Sequence, residues 1–304
     1  MRHRNIFAYL LCSFFVAPQL LACRQTPLSL PDVDNLPPPL QNEKVDRYQA
    51  DIPEVIDSGE NMQLPTPTPA PTPAIEPQPT AWDVSDVDIS HIDPTKKLIA
   101  FTFDDAPSRT LESILTVYAA YNEANPDCRA SATIFCNSKL FDAQTPHLLS
   151  TCLALGIELG NHTHSHYDLT SLSEPILRDE IDRTDQALQT IDGKRRHLLR
   201  APFGKSNDFV ASIAPVPMID WTIDTLDWSG VSEDAIYHTV FDNRFSGAIV
   251  LMHDGYQHTV DALKRLLPDL KADGYQVVSV SQLTKAHGCT LYQGSTYIRA
   301  RKRN

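Results

Sequence analysis

Residues able to do chemistry fall in five short clusters: Asp104-Asp105, Asn161-His-Thr-His-Ser-His166, Arg200-Ala-Pro-Phe-Gly204, Asp224-Thr-Leu-Asp-Trp228 and His253-Asp254. In the second cluster His162 and His166 stand four residues apart, so one turn of backbone can aim both imidazoles at a single point. With one carboxylate they would supply three ligands and leave a fourth position open, the donor set of a catalytic rather than a structural divalent-metal site. Each cluster alone has a plainer reading. Paired aspartates after a strand commonly cap a helix, and a single strand-end histidine is commonly a satisfied buried polar group.

The clusters gain weight from what precedes them. Lys97–Phe103 is an apolar, β-branched and aromatic run, and similar runs occur at Ala132–Cys136, Gly156–Gly160, His197–Ala201, Met218–Ile223, Ala248–Met252 and Tyr275–Val280. Between them lie amphipathic stretches. One opens with Ser173 as N-cap and Pro175 in its first turn, then repeats Leu177, Ile181, Leu188 and Ile191 on one face; Thr259–Lys271 repeats Ala262, Leu266 and Leu270. Short apolar strands alternating with helices predict parallel strands buried on both faces, and seven of them favour a β/α barrel over an open sheet. In such a fold the strand ends that carry the clusters share one rim, where active sites are built.

The chain has 304 residues with a formal charge of −12, unevenly placed. Arg24–Asp93 holds 13 acidic and 3 basic residues; with Arg2 and Arg4 set aside, Pro94–Asn304 is left at only −4. That balance predicts no nucleic-acid partner, despite the basic run Arg299–Arg303. Residues 1–22 read as an export signal, with a positive start and an apolar Ile6–Ala17 stretch too short to span a bilayer. Leu20-Leu-Ala-Cys23 resembles the lipobox of bacterial lipoproteins, which implies lipidation at Cys23 and an exported protein anchored to the membrane, facing the envelope or exterior. Residues 23–93 lack periodicity and contain Pro37-Pro-Pro39 and an alternating-proline run over 65–73. They read as a disordered, acidic, proline-rich tether. Cys128, Cys136, Cys152 and Cys289 allow a disulfide in three pairings or none, and no CxxC pair marks a zinc site.

Thr102-Phe-Asp-Asp105, His162-Thr-His-Ser-His166, Arg200-Ala-Pro-Phe-Gly204, Asp224-Thr-Leu-Asp-Trp228 and Leu251-Met-His253 resemble, in order, the five motifs of the polysaccharide deacetylases, also called the NodB-homology domain or carbohydrate esterase family four. The resemblance implies an α/β fold, a distorted (β/α)₇ barrel over residues 94–288 followed by a 289–304 tail. It also implies one divalent metal ion, zinc or cobalt, held by Asp105, His162 and His166. Asp104 is then the general base oriented by Arg200, and His253 the general acid held by Asp227. Trp228 and Leu251 wall the acetyl pocket, and the Phe203 N–H is the oxyanion donor. These parts meet the needs of amide hydrolysis: a cation to activate water, a base and an acid of opposed protonation, and a donor aimed at the oxyanion.

The expected function is removal of N-acetyl groups from an N-acetylglucosamine polysaccharide, foremost peptidoglycan, by a monomer. An O-acetyl esterase on xylan would use the same parts, and a non-catalytic glycan-binding lipoprotein would not need all of them. The missing Gly-x-Ser-x-Gly argues against a serine hydrolase. One departure is Ala106-Pro107, where the family has Gly-Pro; the following proline predicts extended backbone at Ala106, which alanine adopts freely. His164 is read as packing or rim, and His147, His238, His258 and His287 as surface residues.

Overall fold

The computed structural model describes residues 80–301. The export signal, Cys23, the proline run and the last three residues lie outside the described residues. Eight strands and seven helices follow: β1 (Lys97–Ala106), α1 (Leu111–Ala124), β2 (Thr133–Cys136), α2 (Thr145–Ala154), β3 (Glu158–Asn161), α3 (Glu174–Asp192), α4 (Asp208–Ile213), β4 (Met218–Ile219), β5 (Ile223–Asp224), α5 (Glu233–Asn243), β6 (Ile249–His253), α6 (Gln257–Ala272), β7 (Tyr275–Val278), α7 (Val280–Ala286) and β8 (Thr296–Tyr297).

All the ladders are parallel. β1 pairs with β6 along one edge, and along the other with β7 near its start and β2 near its end; β3 follows β2. Single bridges from Asn161 to Leu199 and from Leu199 to Met218 carry the circuit to β4, and β5 pairs with β6 to close it. The result is a distorted (β/α)₇ barrel. Alternation along β1 divides its side chains between two layers. Ile99, Phe101 and Phe103 pack outward under the helices, while Leu98 and Ala100 pack into the interior with Leu198, Ile219, Ile249 and Val278. The same alternation turns Thr102 and Asp104 inward, toward Arg200.

Two expected strands are shorter than their apolar runs. In His197–Ala201 only Leu199 makes bridges, because Pro202 has no N–H to donate and the chain turns there to build the rim. Met218–Ile223 divides in two because β4 pairs with β8 while β5 pairs with β6, and Asp220 stands where the chain changes partner. Its N–H bonds to the Tyr297 carbonyl and its own carbonyl accepts from Arg200 Nη2. Helix α3 matches expectation: Leu177, Ile181 and Leu188 are buried, Pro175 sits in the first turn, and Gly193 ends it at φ 76°. Ser173 occupies the N-cap in extended geometry without a side-chain cap bond.

The ends of the fold lie elsewhere than composition indicates. Residues 80–93, read as the last part of the tether, pack on the barrel. The Trp82 N–H donates to the Leu291 carbonyl at 2.8 Å, and buried Gln276 bonds to the backbone of Asp93 and His91. Trp82 and Ile92 lie against the interior cluster. The 289–304 tail contributes β8, which pairs with β4, and the buried side chains of Leu291 and Ala300. A chain starting at Pro94 loses the packing of Trp82 and Ile92 against the interior cluster and two of the three side-chain hydrogen bonds of Gln276, which keeps only its bond to the Arg129 carbonyl. It should be less stable than one starting at Thr80 by on the order of 2–4 kcal/mol. Matching urea midpoints for the two would show the segment to be passive.

Among the described residues, Cys128, Cys136, Cys152 and Cys289 are free thiols. Burial pushes the Cys152 thiol up to about 12, so it is inert at neutral pH. No helix among the described residues is long and apolar enough to cross a membrane.

Candidate active site

The site grows from the end of β1. Asp104, 3% exposed, pairs in register with His253 on β6, which sets a carboxylate and an imidazole side by side across the interior. Arg200 is fully buried and crosses beneath them. Its Nη1 donates to Asp104 Oδ1 at 2.8 Å and to Thr102 Oγ1 at 2.6 Å, and its Nε to the Ile219 carbonyl at 2.9 Å. Its guanidinium stacks 4.3 Å from the Phe135 ring centroid. Burial pushes the Asp104 carboxyl up, but the charge of Arg200, helped by His162 and His253, outweighs it and holds the group below the usual carboxylate range.

His253 is fixed from the opposite side. Asp227, fully buried, meets His253 Nδ1 at 2.7 Å through Oδ1 and accepts the His253 backbone N–H at 2.8 Å and the Thr259 hydroxyl at 2.7 Å through Oδ2. Burial alone would lower the imidazole's pKa, but the hydrogen bond to Asp227 and the charge of Asp104 raise it above its ordinary value. The pair therefore has opposed tendencies, Asp104 toward the anion and His253 toward the cation.

Beside them Asp105, His162 and His166 bring one ligand atom each to within 4.8 Å of one another. His162 Nε2 lies 3.8 Å and His166 Nε2 3.5 Å from Asp105 Oδ1. His162 Nδ1 lies 2.8 Å from the Arg200 carbonyl, which can only accept, so the proton sits on Nδ1 and the Nε2 lone pair faces Asp105. Burial, then the neighbouring His162, lowers the His166 pKa, which keeps its imidazole neutral and able to ligate at neutral pH. This donor set fits a divalent cation of the zinc or cobalt type.

A pocket of about 430 Å³ opens over these groups, lined also by Phe203, Gly204, Trp221, Asp224, Trp228 and Leu251. Leu251 is buried, whereas Phe203 and Trp228 are exposed at 62% and 54%. Among the described residues, five that are not glycine take left-handed backbone: Asp105, Thr163, His166, Phe203 and Leu226. All lie in or beside the motifs, and such strain concentrates where geometry is held for function. Ala106 is not among them, in line with the extended geometry expected before Pro107.

The structure thus places Asp104, Asp105, His162, His166, Phe203, Trp228, Leu251 and His253 around one pocket with Arg200 and Asp227 behind them, whereas Asp254 turns to the Ser108 N–H and the Thr110 hydroxyl at the start of α1. Trp221 was missed, although an aromatic flanking a strand end is a usable signal. His164 bonds to the Ser138 hydroxyl at 2.8 Å, away from the ligand cluster. His147 and His238 are exposed, but His258 is half-buried with Nε2 2.8 Å from the Asp227 carbonyl, and His287 is half-buried too. The first turn of α6 covers Asp227, and that packing has no trace in the local sequence around His258.

The model of the polysaccharide deacetylase family matches residues 91–215. A peptidoglycan-N-acetylglucosamine deacetylase of Bacillus cereus is 34% identical over 208 residues, which cover 62% of this chain and 89% of that protein. The chain belongs to the polysaccharide deacetylase family. The peptidoglycan-N-acetylmuramic acid deacetylase PdaC of Bacillus subtilis is 34% identical over 193 residues, 63% of this chain and 40% of that protein. The solved PdaC structure superposes with a TM-score of 0.59 at 33% identity, covering 65% of this chain and 94% of that one. A bifunctional xylanase/deacetylase of Pseudobutyrivibrio xylanivorans is 31% identical over 196 residues, 64% of this chain and 31% of that protein. The chain therefore spans well under two thirds of the first curated relatives it matches.

Proposed function

We propose that this deacetylase-family chain is a metal-dependent hydrolase that removes N-acetyl groups from N-acetylglucosamine units of a polysaccharide, with peptidoglycan as its target. The observation that carries the reading is a geometric one: Asp104 bonded to buried Arg200 and His253 bonded to buried Asp227, on either side of a pocket with three convergent candidate metal ligands. Asp105, His162 and His166 would hold a divalent cation, and the chemistry it would supply when bound is polarisation of the acetyl carbonyl and activation of the attacking water. Asp104 takes the proton from that water, and its link to buried Arg200 fixes the direction of its free oxygen. The Phe203 N–H, set by the left-handed turn at that residue, faces the developing oxyanion. Leu251 and Trp228 enclose the acetyl methyl and keep bulk water from it. His253 delivers its proton to the departing nitrogen, while Asp227 stabilises the imidazolium until then.

The similarity to a xylanase/deacetylase favours a second reading, O-acetyl removal from xylan, because a hydroxyl leaving group would need the same acid. Incubating the purified chain with peptidoglycan, chitin oligomers and acetylxylan and measuring acetate separates the two. Release from peptidoglycan is expected, with chitin oligomers second. Acetate from acetylxylan alone would overturn the N-deacetylase reading.

The proposal extends to location: an exported protein lipidated on Cys23, with residues 24–79 linking the anchor to the barrel. The lipobox-like Leu20–Cys23 and the acidic, proline-rich composition support it. Cys23→Ser should leave the precursor unprocessed or release the protein from the membrane fraction. Normal maturation with full membrane retention would count against a lipid anchor.

A further inference from the structure

Between Asn161 and His166 two residues, Thr163 at φ 67° and His166 at φ 58°, are left-handed without being glycine. Such a turn persists only where its surroundings over-determine it. The Asn137 side-chain amide holds the His162 and Thr163 carbonyls from the end of β2, and the Thr163 hydroxyl accepts the His166 N–H; the remaining determinants come from the buried face of α3. Glu180, 3% exposed, accepts the Ser165 N–H on Oε2 at 2.6 Å, and its backbone carbonyl accepts the His164 N–H at 2.9 Å. Asp185, 2% exposed, accepts the Asn161 side-chain amide on Oδ1 at 3.0 Å, and Asn161 Oδ1 in turn accepts the Thr163 N–H at 2.8 Å. Asp185 is itself braced by Arg196 at 3.0 Å and by buried His197 at 2.9 Å, and His197 reaches Asp192 at 3.1 Å.

Neither carboxylate lines the pocket. Both interrupt an apolar stripe where leucine would pack without the desolvation that a buried charge entails. Their hydrogen bonds fall at the two ends of the segment that carries His162 and His166.

We infer that Glu180 and Asp185 are positioning residues of the cation centre, fixing the 161–166 turn so that both imidazoles already converge before an ion arrives. The inference rests on the metal-centre reading above. In such sites the outer groups that orient ligands govern affinity for the ion as well as rate.

The test is metal affinity of the full chain, measured by competition between the protein and a chromophoric chelator for Zn²⁺ and Co²⁺. The visible spectrum of the Co²⁺ form reports ligand geometry independently of turnover. Glu180→Gln keeps an acceptor of the same reach and should bind within about threefold of wild type. Glu180→Asp keeps the charge but withdraws it from Ser165, and should weaken binding about 10- to 100-fold with an altered Co²⁺ spectrum. Asp185→Leu should do the same. If the leucine variant does not fold, the Glu180 pair still decides, since reach and charge are separated by two conservative changes. Wild-type affinity and spectrum in Glu180→Asp would overturn the inference and leave the metal centre standing. Failure of the wild-type chain itself to bind either ion would overturn both.

Discussion

Removing the cation by chelation, or replacing His162 or His166 with alanine, should abolish deacetylation altogether. The three ligand atoms converge within 4.8 Å, and no other group of at least three histidine, cysteine or acidic residues does so among the described residues. A two-ligand remnant keeps the Asp105 charge but has too few donors to retain the ion at ordinary concentrations. Added zinc or cobalt should restore the chelated wild type but neither variant. Both imidazoles must be neutral to ligate, so affinity should fall in acid as they protonate. Metal content and acetate release, followed together as the pH is lowered from about 8 to about 5, should decline in step. Full turnover by demonstrably metal-free protein would end the metal assignment.

Asp104→Asn and His253→Ala should each lower the rate by on the order of 10²–10⁴ while leaving the ion bound. The pH profile supplies the sign. Asp104, shifted down, is anionic through the neutral range and lost only in acid; His253, shifted up, keeps its proton to higher pH than a free histidine. Activity should follow a bell, rising as the base and ligands deprotonate and falling as His253 loses its proton. Asp227→Asn removes the charge that stabilises the imidazolium, so the alkaline limb should move to lower pH. Arg200→Met removes the cation that outweighs burial at Asp104, so the acid limb should move up. Losses in the Asp104→Asn/His253→Ala double variant should be less than additive, because both groups serve one reaction cycle. Near-normal turnover by His253→Ala with the ion in place would assign the proton delivery elsewhere on the rim.

Much of this was legible in the chain itself. Apolar runs with helical stretches between them dictate parallel strands, and polar clusters at the run ends then have to share a rim. The period of a strand settles which residues of 102–105 turn inward, and the i, i+4 spacing settles that His162 and His166 can meet. These are local rules, acting over one turn of helix or a few residues of strand, and they need no knowledge of the rest of the chain.

What composition and periodicity missed depends on partners far away in sequence. Residues 80–93 have no pattern of their own, and they fold because Trp82 and Gln276 find partners across the barrel. The His197–Ala201 and Met218–Ile223 runs are apolar enough for longer strands. The first is cut short where Pro202 turns the chain, and the second where the chain passes from the β8 ladder to the β6 ladder, with the Ile219 and Asp220 carbonyls turned to the Arg200 guanidinium.

The electrostatics of the site belong wholly to the tertiary structure. The motif order alone named Asp104, Arg200, Asp227 and His253. Only the fold carries Arg200 across 96 residues to Asp104 and Asp227 across 26 to His253, and excludes the water that would screen them. Likewise, Glu180 and Asp185 look in sequence like two more acids on a charged helix. They hold the ligand turn because α3 lies directly behind it. Sequence determined which groups are present and which strand ends carry them, since side-chain direction follows the backbone period. Tertiary structure determined their protonation and rigidity, since burial and charge pairing are sums over everything packed around a group.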